Sequence, residues 1–161
     1  MEKYDILPIN DTLRTHIQPI LEATWGSPLL AINGKLWDSR TLAGYAAVQD
    51  TEILGYLLYE FHPSECEIMA LQSVAQNRGI ASALIARVKQ TAQEQGASRL
   101  IVQTSNDNIH AIRFYQRRGF TIRAIRLNAL EISRQLKPSI PLIGKEGIPL
   151  RDEIEFVMEI K

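Results

Sequence analysis

The sequence predicts a mixed α/β fold, one sheet of six or seven strands with helices on both of its faces. Three observations predict it. From Glu65 to Ala124, strand-length apolar runs alternate with runs of helical period, in the order strand, helix, strand, helix, strand. Upstream, residues 28 to 60 carry several strand runs separated by turns. The chain's 161 residues, 45% of them hydrophobic, suit one domain with a single core. No internal repeat or low-complexity tract interrupts this order.

Tyr4 to Ile9 alternates weakly, contains Pro8 and leads to Asn10-Asp11, a helix cap after a short first strand. Ile17, Ile20, Leu21 and Thr24 recur at helical spacing. Pro19 must begin a turn or kink the helix, so two short pieces ending at Trp25-Gly26 are expected. Leu29 to Ile32 is a strand run ending at Asn33-Gly34; Leu42 to Val48 and Ile53 to Phe61 flank Gln49-Asp50-Thr51 as a hairpin. Glu65 to Val74 is the next strand, followed by a helix with Ile80, Leu84, Val88 and Thr91 on one face and a stop at Gly96. Arg99 to Thr104 is β-rich, Asn108 to Arg118 helical, and Phe120, Ile122 and Ala124 alternate as a strand. A short helix then runs up to Leu136, a stretch punctuated by Pro138, Pro141, Gly144, Gly147 and Pro149 follows, and Glu153 to Ile160 is the last strand.

Composition excludes several classes. Eighteen basic residues balance eighteen acidic ones, which argues against a nucleic-acid coat or a membrane-surface protein. No apolar run approaches the ~20 residues that span a bilayer. The single cysteine, Cys66, excludes an internal disulfide and a cysteine-based metal cluster. Met1 to Asp5 shows no apolar export signature, and the chain reads as cytoplasmic. The charges are uneven, however. Arg113, Arg117, Arg118, Arg123 and Arg126 crowd one region, whereas Glu146, Asp152, Glu153, Glu155 and Glu159 crowd the C-terminus. Either these are solvated faces and mutual ion pairs, or one patch meets phosphates and the other a cationic acceptor.

Gln76-Asn77-Arg78-Gly79-Ile80-Ala81 lies between a strand and a helix. A helix start offers unpaired N–H groups and the positive end of the helix dipole, and the small residues Gly79 and Ala81 let an anion approach. The turn therefore implies a phosphate or pyrophosphate ligand. Some 30 residues on, residues 108 to 120 have the form Asn-x-x-Ala-x-x-Phe-Tyr-x-x-x-Gly-Phe. The two elements, in this order and at this separation, resemble the GNAT family of acyl-CoA-dependent N-acetyltransferases. The resemblance covers Glu65 to Phe120; within it Ala81 stands where glycine is commoner and Ser73 where a proline often follows the strand.

The resemblance implies a sheet that splays apart beside the Glu65 strand and admits the pantetheine arm of acetyl-CoA. It implies that Leu71, Gln72 and Ser73 lend backbone groups to that arm. Gln76, Asn77, Arg78, Gly79, Ile80, Ala81 and Ser82 would hold the pyrophosphate, with Asn108 a further cofactor contact or simply a helix cap. Tyr115 stands at the family's general-acid position; on a helix it points about 100° away from Phe114, so both need not be core. A protonated amine, with a pKa near ~10.4 for lysine, must lose a proton before it attacks a thioester, so a base or water relay is needed. Glu65 and Glu67 share one strand face, and either can be that base or merely the solvent side of a strand. Glu67, leading into the apolar run, lies deeper.

Gln103 cannot serve as a base and speaks against a ribosomal-protein-type acceptor. His16, His62 and His110 read as surface or packing residues, Cys66 as a small buried one, and no metal site is expected. The segment from Leu127 to Asp152 is longer than the family's usual hairpin and is expected to shape the acceptor pocket; its acidic residues Glu146, Asp152 and Glu153 predict a cationic acceptor. The functional expectation is direct acetyl transfer from acetyl-CoA to an amine, small or on a protein, by a monomer or homodimer. The alternatives are a non-catalytic acyl-CoA-binding module and a nucleotide-binding protein; the latter lacks the Lys-Ser/Thr of a P-loop.

Overall fold

A computed structural model describes residues 3–76 and 78–161. Strands β1 (Asp5–Pro8), β4 (Ala43–Gln49), β5 (Glu52–Phe61), β6 (Glu65–Ser73), β7 (Arg99–Ser105), β8 (Thr121–Arg126) and β9 (Glu153–Glu159) form one seven-stranded sheet in the order β1-β4-β5-β6-β7-β9-β8. A separate hairpin pairs β2 (Leu29–Ile32) with β3 (Lys35–Asp38). Helix α1 (Asp11–Trp25) covers one face; α2 (Ile80–Glu94) and α3 (Ile109–Arg117) lie on the other, and α4 (Ala129–Leu136) packs on β2 and β3. The mixed α/β sheet of the sequence reading is therefore present. No helix among the described residues is long and apolar enough to cross a membrane.

Two local outcomes differ from expectation. Helix α1 is continuous through Pro19. A mid-helix proline costs about 3 kcal/mol, but full burial of Ile17 and Leu21 on either side returns roughly 1.5–3 kcal/mol each, and Gly26 closes the helix at φ 80°. The second is β3, which pattern reading left out. Asn33 (φ 50°) and Gly34 (φ 76°) both adopt the left-handed region, the requirement of a tight two-residue hairpin turn, and fold Lys35–Asp38 back on β2. Pro8 lies in β1, an edge strand where a missing N–H is tolerated.

The sheet's geometry creates the site. β6 and β7 are parallel and in register only from Glu65↔Arg99 to Ile68↔Val102, after which they part. On the β5 side the register of β6 slips at Met69, so Met69 and Ala70 both enter the core under α1, while Leu71 returns to the α2 side. Cys66 and Ile68 thus face α2, and Glu65 and Glu67 face the α1 side.

Gly55 fixes how closely α2 approaches β5. A Cβ there would lie 2.7 Å from Ile80 Cγ2 and 2.8 Å from the Gln72 carbonyl. Gly55→Ala is expected to destabilise the fold by about 1–3 kcal/mol by displacing the start of α2. A lower urea midpoint at unchanged slope would register that loss.

Candidate active site

A cleft of about 550 Å³ opens where β6 and β7 diverge. Its walls are the outer half of β6, the start of α2, the end of β7 and one side of α3. Beyond Ile68, β6 has no strand partner on its β7 side among the described residues, so alternate backbone N–H and C=O groups of Met69 to Ser73 face this opening. The Gln72 side chain is spent elsewhere: its Oε1 accepts from Tyr56 Oη at 2.8 Å and Thr24 Oγ1 at 3.1 Å, tying the end of α1 to β6.

At the base of α2, Gly79 adopts φ 68° and caps the helix with no side chain. That left-handed conformation is the reason for glycine here. The N–H groups of Ile80, Ala81 and Ser82 make no hydrogen bond among the described residues, since the ladder begins at Ala83 N, which donates to Gly79 O at 3.0 Å. They form an anion site with the helix dipole behind it. Arg118, from the end of α3, reaches it: Nε donates to Ser82 Oγ at 2.8 Å while the guanidinium stacks 3.7 Å above the Phe114 ring. Arg78 lines the cleft but turns its guanidinium toward Gln49 (2.9 Å) and the Tyr4 ring.

Tyr115 faces the same cleft from α3. Its ring is wedged against Phe114, Phe120 and Phe156 at centroid distances of 5.3, 5.4 and 5.7 Å. Its hydroxyl has no hydrogen-bond partner among the described residues, and burial pushes its ionisation up, so the phenol stays protonated at neutral pH. Asn108 caps α3 through Oδ1, which accepts from Ala111 N at 3.1 Å, and its side lines the cleft.

Glu65 and Glu67 have separate surroundings. Glu65 is bound by Arg123 Nη1 at 2.5 Å and lies 3.9 Å from Arg99. Glu67 is buried; its Oε1 meets His62 Nε2 at 2.8 Å and its Oε2 has no hydrogen-bond partner among the described residues. His62 is one-third exposed and connects this carboxylate to the surface. Across β7 and β9, burial would raise the Glu155 carboxyl, but hydrogen bonds from Arg126, Gln103 and Arg123 bring it down to about 2. Cys66 is buried, and that burial, with the charges of Glu60 and Glu67, pushes its thiol up to about 12, which leaves it inert as a nucleophile.

The model of the acetyltransferase (GNAT) family matches residues 10–120. The chain belongs to the GNAT family. It is similar to the Bacillus subtilis (strain 168) protein YxbD, with 35% identity over 158 residues that cover 98% of this chain and 99% of that one. Among solved structures it is similar to the IAA acetyltransferase from Bacillus cereus ATCC 14579, with TM-score 0.73, 24% identity, and 98% and 99% of the two chains covered. A GNAT acetyltransferase from Elizabethkingia anophelis with acetyl-CoA bound matches with TM-score 0.70 at 21% identity, over 99% of each chain. At those identities the structural likenesses speak for the fold.

The GNAT-like residues named from sequence converge on the cleft: Leu71, Gln72, Ser73, Gln76, Arg78, Gly79, Ile80, Ala81, Ser82, Asn108 and Tyr115 all line it. Asn77 lies outside the described residues. Glu65 and Glu67 lie on the α1 face beside the cleft and do not line it. The charge crowds divide. Arg118 alone of the five clustered arginines lines the cleft, whereas Arg123 and Arg126 hold Glu65 and Glu155. Of the acidic residues, Asp152 accepts from Arg151 and Asn128 N, Glu146 borders an outer hollow with Asp107 and His110, and Glu153 accepts from Asn33 N at 3.1 Å. His62, by sequence a surface or packing residue, bonds Glu67 because the Phe61↔Cys66 register of the β5–β6 hairpin brings the two together.

Among the described residues no group of three or more His, Cys, Asp or Glu side chains could hold a metal ion. The long connection before β9 is fastened at two places, the end of α1 and the β7–α3 loop. Lys137 Nζ donates to Trp25 O and Leu29 O at 2.7 and 2.8 Å, and Lys145 N donates to Asp107 Oδ2 at 2.9 Å.

Proposed function

We propose that this chain transfers the acetyl group of acetyl-CoA directly to the nitrogen of an amine. One observation carries the reading. A single cleft combines an uncapped helix N-terminus, an unpaired strand edge and a buried, protonated phenol. The N–H groups of residues 80 to 82, with Arg118 beside them, suit a pyrophosphate, and the free edge of β6 suits the amide-bearing pantetheine arm. The acetyl-CoA carried by the Elizabethkingia relative in the same fold agrees with that fit.

Acetyl-CoA supplies an activated thioester when bound. Backbone N–H groups of β6 polarise its carbonyl. Tyr115 donates its hydroxyl proton to the departing sulfur, and Glu67, on the α1 face beside the cleft, takes the proton through a water from an amine that enters from that face. Glu65, held by Arg123, serves as a structural ion pair. His62 passes the proton from Glu67 to solvent.

Isothermal titration with CoA and with ATP tests the cofactor half of this reading: CoA binds and ATP does not. Arg118→Gln is expected to weaken CoA binding about 3- to 10-fold, the loss of one charge-assisted phosphate contact, and to flatten its dependence on salt. Equal affinity for ATP and CoA would count against the assignment.

A further inference from the structure

The sheet ends in two edge strands that are built differently. β1 is four residues long and carries Pro8, which removes one N–H from the row a further strand could use. β8, at the other end, runs six residues from Thr121 to Arg126 without a proline. Its outer side has no strand partner among the described residues. Its two charged side chains turn back over the sheet, Arg123 to Glu65 and Glu155 and Arg126 to Glu155, so neither guards the edge against pairing.

A bulge gives this edge an apolar face. Ile122 lies opposite Phe156 and Ile125 opposite Ile154, with the register slipping by one residue between them. Residues directly opposite in an antiparallel pair share a face, and Phe156 and Ile154 both belong to the core under α2 and α3. Three apart on a regular strand, Ile122 and Ile125 would point to opposite faces; the bulge returns both to the α2 side, 46% and 56% exposed. By the same register Thr121, opposite Val157, Arg123 and Ala124, at Glu155, and Arg126, opposite Glu153, lie on the α1 face.

The pattern is self-complementary. Antiparallel pairing about a two-fold axis between residues 123 and 124 sets Ile122 against Ile125 of a second copy, Arg123 against Ala124 and Thr121 against Arg126. Every pair then shares a face, and no charge stands opposite a like charge. A slip of one residue in either direction sets Ile122 against Ala124 or Arg126, which lie on the other face. We propose that β8 is the interface of a homodimer, in which the sheets of two copies of this chain join edge to edge in that register. The two Ile122–Ile125 contacts form its apolar centre, and the open ladder of β8 is completed by the second copy. The cleft lies between β6 and β7, with β9 between it and β8, so each copy keeps its own site. The interface does not depend on the acetyl-transfer reading.

Sedimentation equilibrium at micromolar concentration tests the proposal. The wild type is expected at twice the chain mass of 18.2 kDa. Ile122→Lys and Ile125→Glu each bury a charge against an isoleucine and are expected to weaken association about a hundredfold or more, giving single chains. An equimolar mixture of the two variants is expected to regain the doubled mass, because one contact then joins the introduced ammonium to the introduced carboxylate while the other remains Ile122 against Ile125. Hydrogen exchange on the wild type needs no variant: the amides of Thr121–Arg126 are expected to exchange as slowly as those of β9, which is paired on both sides. A single-chain mass for the wild type, a dimer that survives either substitution, variants that stay apart when mixed, or β8 amides that exchange at the speed of an open edge overturns the proposal.

Discussion

Tyr115→Phe is expected to lower kcat about a hundred- to a thousand-fold while leaving the dissociation constant of acetyl-CoA within about twofold. The asymmetry follows from the site. The Tyr115 ring packs against Phe114, Phe120 and Phe156, and phenylalanine preserves those contacts. The hydroxyl has no protein partner among the described residues, so its removal leaves no orphan and costs little stability. What is lost is the proton for the leaving thiolate. Stopped assays of thiol release at saturating acetyl-CoA, beside a thermal melt, separate the two: a loss of melting temperature comparable to the loss of rate would make Tyr115 a packing residue.

Glu67→Gln is expected to cost about a hundredfold in kcat/KM at neutral pH and to recover as pH rises toward the ~10.4 of a free alkylamine, where no base is required. The geometry motivates this choice over Glu65. Glu67 is buried with Oε2 unpartnered among the described residues, whereas Glu65 is engaged by Arg123 at 2.5 Å. The pH profile is the check. A deficit that stays constant across the profile would assign Glu67 to structure, and an equal effect of Glu65→Gln would return the base to the open choice that sequence left.

How far the sequence reached is clear from particular residues. The strand–helix alternation from Glu65 onward, the glycine turn at Gly79 and the Asn108 to Phe120 pattern were legible because each is local: a period of two or 3.6, a turn needing φ > 0, a cap three residues from its donor. The cleft-lining set followed from the family resemblance that the turn and the Asn108 to Phe120 pattern carry, not from periodicity by itself. Pairings across the chain were not legible. Whether Arg123 meets phosphate or Glu65 depends on β8 lying beyond β9 at the sheet edge, a matter of topology rather than pattern. The bond from Asn33 to Glu153 was not legible because the hairpin that brings Asn33 to β9 was read only as far as its turn. The Pro19 kink was overestimated for the same reason, since burial of Ile17 and Leu21 is a tertiary effect.

Acetyl-CoA consumption reports acetyl transfer from this cleft to an amine without an intermediate assay. Free thiol release is followed with wild type and Tyr115→Phe against primary alkylamines, arylamines, amino acids and lysine peptides. Turnover is expected to depend on an added amine, to yield the N-acetyl product by mass, and to collapse in the variant. Tight CoA binding with no amine-dependent thiol release from any of these acceptors would contradict it and make the chain an acyl-CoA-binding module.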